Sequence, residues 1–432
     1  SLLLTSFPTV YKKYPPITIN EYSLIFKIPG QDPKKKPIML CAHLDVVPAP
    51  TNEDYPWVCD PFSGDIVNGI IHGRGAIDNK HNVVGQLGAM EEILRNGDLP
   101  KRTTYISMGH DEEIQGFDGA ACIARYFKEE KIQFEFILDE GMMIISGAIP
   151  GIPKDEHIAL VGCVEKGMMC VELSVKGPGG HSSIPPIDQD SPLKVMGKAI
   201  VALESNQVPA HFEEGTMFHN TLKELAGDMS FPLNILCSNF WLFGGLFKQI
   251  LVRASNGAAA SVRTTTAVTK VHGGEKYNII ASEVKAIVNH RIHPNDTVQS
   301  ILDHDRRVIN DPRVNLRLLG GRNIIQPSPV TNYKSSNFKL IQDAVQTIFD
   351  AKTVPGIMVG NTDTRWYWDL SDQIFRFSPV KLTLMETKMF HGVNEKISTD
   401  ALSNIVDFYK MLVMTENECS LDALNERSPL VT

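Results

Sequence analysis

Apolar positions follow two rhythms along this chain. Near its start, Ile38-Met39-Leu40-Cys41-Ala42 forms an unbroken apolar run after Lys34-Lys35-Lys36-Pro37, the pattern of a buried strand. Val84, Leu87, Met90 and Leu94 recur at helical spacing and predict a helix over 82–94. The β-branched run 103–108 predicts a strand, 120–127 a helix and 134–138 a further strand. Such alternation belongs to an α/β layer around a mainly parallel central sheet.

The middle of the chain reads differently. Residues 171–175 alternate as a half-exposed strand, and Leu193, Met196, Ile200 and Leu203 mark a helix. Val284, Ala286 and Val288 alternate again, 298–309 reads as a helix and 314–319 as a strand. Strands with one polar face suit a small α+β unit with one side of its sheet in solvent. After Gln326-Pro327-Ser328-Pro329 the first rhythm returns. A helix carries Phe338, Ile341, Val345 and Ile348, a strand spans 354–359, and a last helix carries Leu402, Ile405, Tyr409 and Leu412. The simplest account is a discontinuous α/β domain, 1–167 and 321–432, interrupted by a smaller α+β domain at 168–320.

The length of 432 residues exceeds what one hydrophobic core usually organises, in keeping with two domains. Asp and Glu number 50 against 42 Lys and Arg, a formal charge of −8. That balance offers no electrostatic footing for nucleic acid or for an anionic membrane. The most apolar stretch, 229–252, is broken by Pro232, Asn234, Asn239, two glycines and Lys248, and predicts no transmembrane span. Cys41, Cys59, Cys122, Cys163, Cys170, Cys237 and Cys419 are scattered without a C-x-x-C pair, which excludes a zinc ribbon or a dense disulfide framework. No cationic, apolar leader opens the chain, and Ser1-Leu2-Leu3-Leu4 is compatible with the remnant of a longer precursor.

Candidate chemistry collects at predicted strand ends. His43 and Asp45 share a strand face, where the carboxylate can fix one ring nitrogen and leave the other for a metal; alone, such a pair is more often a local hydrogen bond. Asp78 follows Gly73-Arg74-Gly75-Ala76-Ile77 and is either a helix N-cap or a ligand held by a tight turn. Asp111-Glu112-Glu113 repel one another unless cations, protons or solvent compensate them. Asp139-Glu140-Gly141 ends another strand, and His391 lies in a loop before the last helix. Together His43, Asp78, Glu113, Asp139 and His391 offer two imidazoles and three carboxylates at the edge where α/β folds hold their sites, a donor set suited to zinc.

In order, His-x-Asp, Gly-Arg-Gly-x-x-Asp-x-Lys, Asp-Glu-Glu, Asp-Glu-Gly and a late His-Gly resemble the di-zinc aminoacylase/carboxypeptidase metallopeptidase family over nearly the whole chain. The resemblance implies two zinc ions per chain, one on His43 and Asp139, the other on Glu113 and His391, with Asp78 bridging. Asp45 would orient His43, Glu112 would be the general base for a metal-bridged hydroxide, and the Asp78-Asn79 peptide bond would be cis. Gly177-Pro178-Gly179-Gly180-His181-Ser182-Ser183 matches the family's lid motif. Its His181 would stabilise the oxyanion, often in the partner subunit, which implies a homodimer through a lid/dimerisation domain at 168–320. Asn361-Thr362-Asp363-Thr364-Arg365 resembles a Thr-Asp-x-Arg segment whose arginine binds the substrate carboxylate; a structural salt bridge would suit Arg365 equally.

Ala-His-Leu-Asp-Val-Val-Pro-Ala-Pro, Gly-His-Asp-Glu-Glu and His-Gly-Val-Asn-Glu-Lys are most similar to the secreted branch of that family that acts on N-fatty-acyl amino acids, with vacuolar Gly-X carboxypeptidases next. The implied activity is hydrolysis, or formation, of the amide bond of N-acyl amino acids. A carboxypeptidase or dipeptidase on short peptides is the neighbouring reading, and a metal-free binding protein would need a broken ligand set. The resemblance implies secretion, or a vacuolar or lysosomal lumen, and Asn295-Asp296-Thr297 offers a glycosylation sequon. Phe231, Trp241, Leu242, Phe243, Leu246 and Phe247 form either an acyl channel or the core or dimer face of the lid. The family's first helices, before the equivalent of Tyr11, are expected to be missing.

Overall fold

The computed structural model describes residues 2–51, 56–321 and 324–415. Its main sheet has eight strands in the order Ile17–Ile19, Ser23–Ile28, Thr104–Gly109, Ile38–His43, Ile137–Ser146, Ile374–Thr383, His157–Glu165 and Lys352–Met358. The centre is parallel: Ile38–His43 runs alongside both Thr104–Gly109 and Ile137–Ser146, and Ile374–Thr383 follows Ile137–Ser146. Antiparallel pairs flank it, Ser23–Ile28 on one side and His157–Glu165 on the other.

Layers on both faces explain the unbroken apolar runs. Leu40 faces one core, beneath the helices Lys80–Arg95, Ser336–Phe349 and Thr399–Met414, which bury Leu87, Ile341 and Ile405. Met39 and Cys41 face the opposite core, closed by Ile123 and Phe127 of the helix Ala120–Glu129. At residues 2–13, two short helices, Leu2–Ser6 and Pro8–Lys13, lie on the first of these cores beside Lys80–Arg95 and bury Val10.

A second, wholly antiparallel sheet runs Thr265–Gly273, Glu283–Ile292, Gly167–Lys176, Asn315–Leu318. Val171, Leu173 and Val175 face the helices Pro192–Ser205 and Val298–Ile309, and the intervening residues are half-exposed. On Pro192–Ser205 the buried stripe is Val195, Met196, Ala199 and Leu203, whereas Leu193 points to solvent.

The apolar pattern gives no elements between 204 and 283, yet helices form at Met217–Leu225, Leu233–Ser238, Phe240–Ala254 and Asn256–Val262. Pro232 and the glycines obscure their periodicity. Their core of Leu225, Phe240, Phe247 and Leu251 closes against Ile158 and Val354 at the edge of the main sheet. No helix among the described residues is long and apolar enough to cross a membrane. The six described cysteines are unpaired, and Cys419 lies outside the described residues.

Candidate metal centre

His43 ends its strand in register with Gly109 of the parallel neighbour, so the segments carrying Asp45 and Glu112-Glu113 leave the sheet side by side. Asp45 ties them together, its Oδ1 and Oδ2 accepting from the backbone N–H of Glu112 (3.1 Å) and Glu113 (3.0 Å). His43 Nδ1 lies 3.0 Å from the Asp45 carbonyl and 3.3 Å from its Oδ1. Donation from Nδ1–H fixes the tautomer and turns Nε2 to the site. Nε2 is 3.1 Å from Asp78 Oδ1 and 3.4 Å from Glu140 Oε2. Asp78 Oδ2 is 3.2 Å from His391 Nε2, which is 3.3 Å from Glu113 Oε2. Asp78 thus stands between two imidazoles with one oxygen towards each. Donor atoms of His43, Asp78 and Glu113 lie within 4.8 Å of one another, and so do those of His43, Glu112 and Glu140.

The Asp78-Asn79 peptide bond is cis, the helix behind it starts at Lys80, and Asn79 makes no side-chain capping bond. Asp78 is therefore not an N-cap. Its loop is fixed by Glu395, which is fully buried. Glu395 Oε1 accepts from the N–H of Ile77 (2.7 Å) and Asp78 (3.0 Å), and Oε2 from Gly75 N–H (3.0 Å) and Arg74 Nη1 (2.9 Å). Arg74 Nη2 donates to the Gly392 carbonyl at 2.7 Å, which joins the Asp78 loop to the His391 loop. Neither residue stands out in the sequence; the only signal is an arginine and a glutamate inside two motifs noted for other positions.

Asp139 and Glu140 face different ways. Arg376 pairs with Asp139 and Phe377 with Met142, so Glu140 and Gly141 form a bulge. Gly141 takes φ 138°, and a Cβ there would stand 2.8 Å from Arg376 Cβ. The bulge re-aims Glu140 towards His43. Asp139 is buried, with Oδ1 accepting from Glu140 N–H (2.9 Å) and Oδ2 without a partner among the described residues.

One cavity of about 1290 Å³ opens from this cluster. Asp78, Glu112, Glu113, Glu140 and His391 line its polar end, and Met142, Leu160, Phe218, Leu222, Phe247 and Leu251 its apolar remainder. Arg365 borders it, stacked 5.0 Å from the Trp366 ring and 5.5 Å from Phe117, with Nε and Nη2 unpartnered among the described residues. Among the described residues no carboxylate forms an ion pair with it, and Asp363, Glu112 and Glu165 act on its charge from longer range. Its segment is anchored by Thr362 and Thr364, whose hydroxyls donate to Glu165 at 2.7 and 2.9 Å. Arg291, which the sequence did not single out, also lines the cavity and donates to Asn361 Oδ1 at 2.7 Å. His181 is not brought to the cavity: it is exposed on the short strand Gly180–His181, with Nδ1 bonded to Ser183.

The cluster is electrostatically unbalanced. Burial, then Glu140 and Asp363, push the Glu112 carboxyl well up. Burial and the Asp78 charge raise Glu113 to about 7, and burial with Glu140 raises Asp139 to about 7. Asp78 moves the other way, because hydrogen bonds from His391 and His43 overcome its burial. Hydrogen bonding to Asp78 also raises His391. Carboxyls that hold protons near neutrality lack sufficient positive charge around them. With Glu113 Oε1 and Asp139 Oδ2 unpartnered among the described residues, the oxygen and imidazole donors fit divalent metal ions.

Known proteins are similar to this chain over most of its length. The model of peptidase family M20/M25/M40 matches residues 39–415. N-fatty-acyl-amino acid synthase/hydrolase PM20D1.1 of Danio rerio is 40% identical over 409 residues, covering 94% of this chain and 77% of the relative. A probable carboxypeptidase S-like 2 of Dictyostelium discoideum is 39% identical over 414 residues, 95% of this chain and 78% of the relative. Among solved structures, the M20 family metallo-carboxypeptidase Sso-CP2 of Sulfolobus solfataricus superposes with a TM-score of 0.68 at 16% identity, over 95% of this chain and 93% of that one.

Proposed function

The chain belongs to the M20/M25/M40 peptidase family and is a hydrolase; from that premise we propose that it cleaves, and can form, the amide bond of N-acyl amino acids, N-fatty-acyl amino acids in particular. The observation that carries this reading is the continuity of the carboxylate cluster with a long apolar cavity. At about 1290 Å³ the cavity exceeds the roughly 300–1,000 Å³ of ordinary small-molecule sites, and most of its wall is aliphatic or aromatic. The 40% identity to a protein named for that chemistry supports the same substrate class.

Two zinc ions are the proposed cofactors, held by His43, Glu113 and His391 with Asp78 between them and a carboxylate from Asp139-Glu140. When bound they supply Lewis-acid activation of water and of the scissile carbonyl. Around them the chain's own groups divide the work. Asp45 holds His43 in the tautomer that presents Nε2. Glu112 takes the proton of the attacking water on its carboxylate and hands it to the leaving amide nitrogen. Arg365 offers its unpartnered guanidinium edge to the free carboxylate of the amino acid, and Arg291 stands as a second cation on the same cavity. His181 serves the oxyanion of a second copy, with 168–320 acting as lid and dimerisation domain. The sequon at Asn295 is exposed, as secretion into the extracellular space requires of a glycan site.

The decisive experiment measures metal content and then compares N-oleoyl-phenylalanine, N-acetyl-phenylalanine and a free dipeptide at equal enzyme concentration. Preference for the oleoyl substrate is expected. A metal-replete protein that prefers the dipeptide makes the chain an exopeptidase instead, and one inert on all three ends the proposal.

A further inference from the structure

Residues 229–274 contain no aspartate or glutamate, in a chain that carries 50 of them, and hold Lys248, Arg253, Arg263 and Lys270. Inside that stretch the Phe240–Ala254 helix turns Phe240, Phe247 and Leu251 inward. It leaves Trp241, Leu242 and Leu246 outside at 83, 60 and 58% exposure, followed by Ile250. Leu242, Leu246 and Ile250 recur every fourth residue, so they form one stripe, and Phe231 and Ile235 of the preceding segment are exposed as well. A helix whose inner face already fills a core has no folding reason for an apolar outer face. Ile250 belongs both to that stripe and to the wall of the cavity, so the exposed patch borders the cavity.

We propose that this face docks on the surface of an anionic phospholipid bilayer, and that the acyl substrate enters the cavity from there. A tryptophan with aliphatic neighbours, flanked by Lys248 and Arg253 and free of acids, has the composition of a helix that lies in a lipid interface. The formal charge of −8 opposes an anionic surface; on this helix Lys248 is paired with Glu213 at 3.0 Å, and the exposed Arg253 beside Leu246 carries the positive charge that turns the patch towards the lipid. At 15 residues the helix is too short to span, so the contact is peripheral. Entry of substrate by this route rests on the acyl reading above; docking does not.

The test uses the full chain and vesicles of phosphatidylcholine with and without phosphatidylserine. Sedimentation with the mixed vesicles is expected, weaker on phosphatidylcholine alone and falling with salt. The double variant Leu242→Asp, Leu246→Asp, at two exposed positions that do not line the cavity, is expected to bind about a hundredfold more weakly while hydrolysing N-acetyl-phenylalanine as before. Tyr277→Asp, at a fully exposed residue elsewhere, is expected to keep vesicle binding. The proposal falls if the unaltered chain ignores both vesicles or if the double variant binds like it. It also falls if the double variant loses only self-association in light scattering. Vesicle binding by a protein inert on every N-fatty-acyl amino acid sinks the substrate reading and leaves docking in place.

Discussion

Glu395→Gln removes one charge at nearly constant shape and tests whether the two ligand loops are held as a unit. The wild-type carboxylate is 0% exposed, pairs with an Arg74 side chain 1% exposed, and accepts from three backbone N–H groups besides. Glutamine presents one NH2, so one side of the new amide must point hydrogens at existing donors. Arg74 meanwhile keeps its charge without a partner carboxylate. Removing one member of a buried ion pair costs about 3–5 kcal/mol. Unsatisfied donors cost about 1–3 kcal/mol, and because the two costs describe the same groups they overlap. A loss of about 4 kcal/mol is expected, a large part of the roughly 5–15 kcal/mol that holds a domain folded. Metal affinity should fall about 10–100-fold as well, since the amide leaves either Asp78 N–H or Arg74 without its acceptor, and Arg74 is the donor that fixes the Gly392 carbonyl. Urea unfolding in the presence of a chelator reads the first effect, and zinc competition against a chromophoric chelator reads the second. A midpoint equal to wild type refutes the energetic argument. Lower stability with unchanged zinc affinity refutes the claim that this pair positions the ligands.

The other expectations concern catalysis and pH. Glu112→Gln should retain its metal and lose about 10²–10⁴ in turnover, and unchanged turnover removes Glu112 from proton transfer. Arg365→Ala should lower kcat/KM about 10–100-fold on substrates with a free carboxylate and leave the corresponding amides untouched; an equal loss on both assigns Arg365 a structural role. For metal-free protein, the raised Glu113 carboxyl sets the sign of the pH dependence. The fold favours its protonated form, so that contribution is complete below the ordinary value of 4.5 and is lost as pH rises through about 7. Chelator-treated protein should therefore show a falling Tm over that window and a zinc-induced shift that grows with pH; a Tm that rises instead contradicts the cluster's electrostatics. Lengthening the acyl chain should raise kcat/KM by about fourfold per methylene until the cavity is filled, and a flat series would separate the cavity from the substrate.

The readable parts of this fold are those where one physical demand dominates. Ile38–His43 lies between two layers and is buried at every position, so its sequence is apolar without interruption up to Ala42. Ile374–Thr383 is buried almost as completely, yet it contains Arg376 and Pro379 and escapes a reading by pattern. Arg376 is tolerated because its Nε donates to Thr364 and lies 3.5 Å from Glu165, partners more than ten residues away in sequence. The same limit governs the site. His43, Asp78, Glu113 and His391 can be chosen from the sequence because their chemistry is distinctive and their motifs follow a known order. Between Asp139 and Glu140 the motif points to Asp139, but the two are adjacent carboxylates, and a bulge that depends on Gly141 turns Glu140 towards His43. Arg74 and Glu395 are harder still, since a buried ion pair 321 positions apart leaves no local trace.

The two halves of the cavity also act on each other. Charges stabilise a developing oxyanion more strongly where water is scarce, because the local dielectric is low. Here the wall of the cavity that also holds Glu140 and Arg365 includes Met142, Leu160 and Phe218. In the proposed reaction, an acyl chain lying along that wall expels the water that would otherwise screen Arg365 and the carboxylate cluster. The apolar wall then does more than retain the substrate, since filling it strengthens the interactions made at the amide. A short acyl group leaves that wall wet and receives only the bare arrangement of ligands. On that proposal, selectivity for long chains need not come from a steric gate at the centre: it follows from joining an acid cluster, costly to assemble without cations, to a surface that becomes dry only when the right substrate covers it.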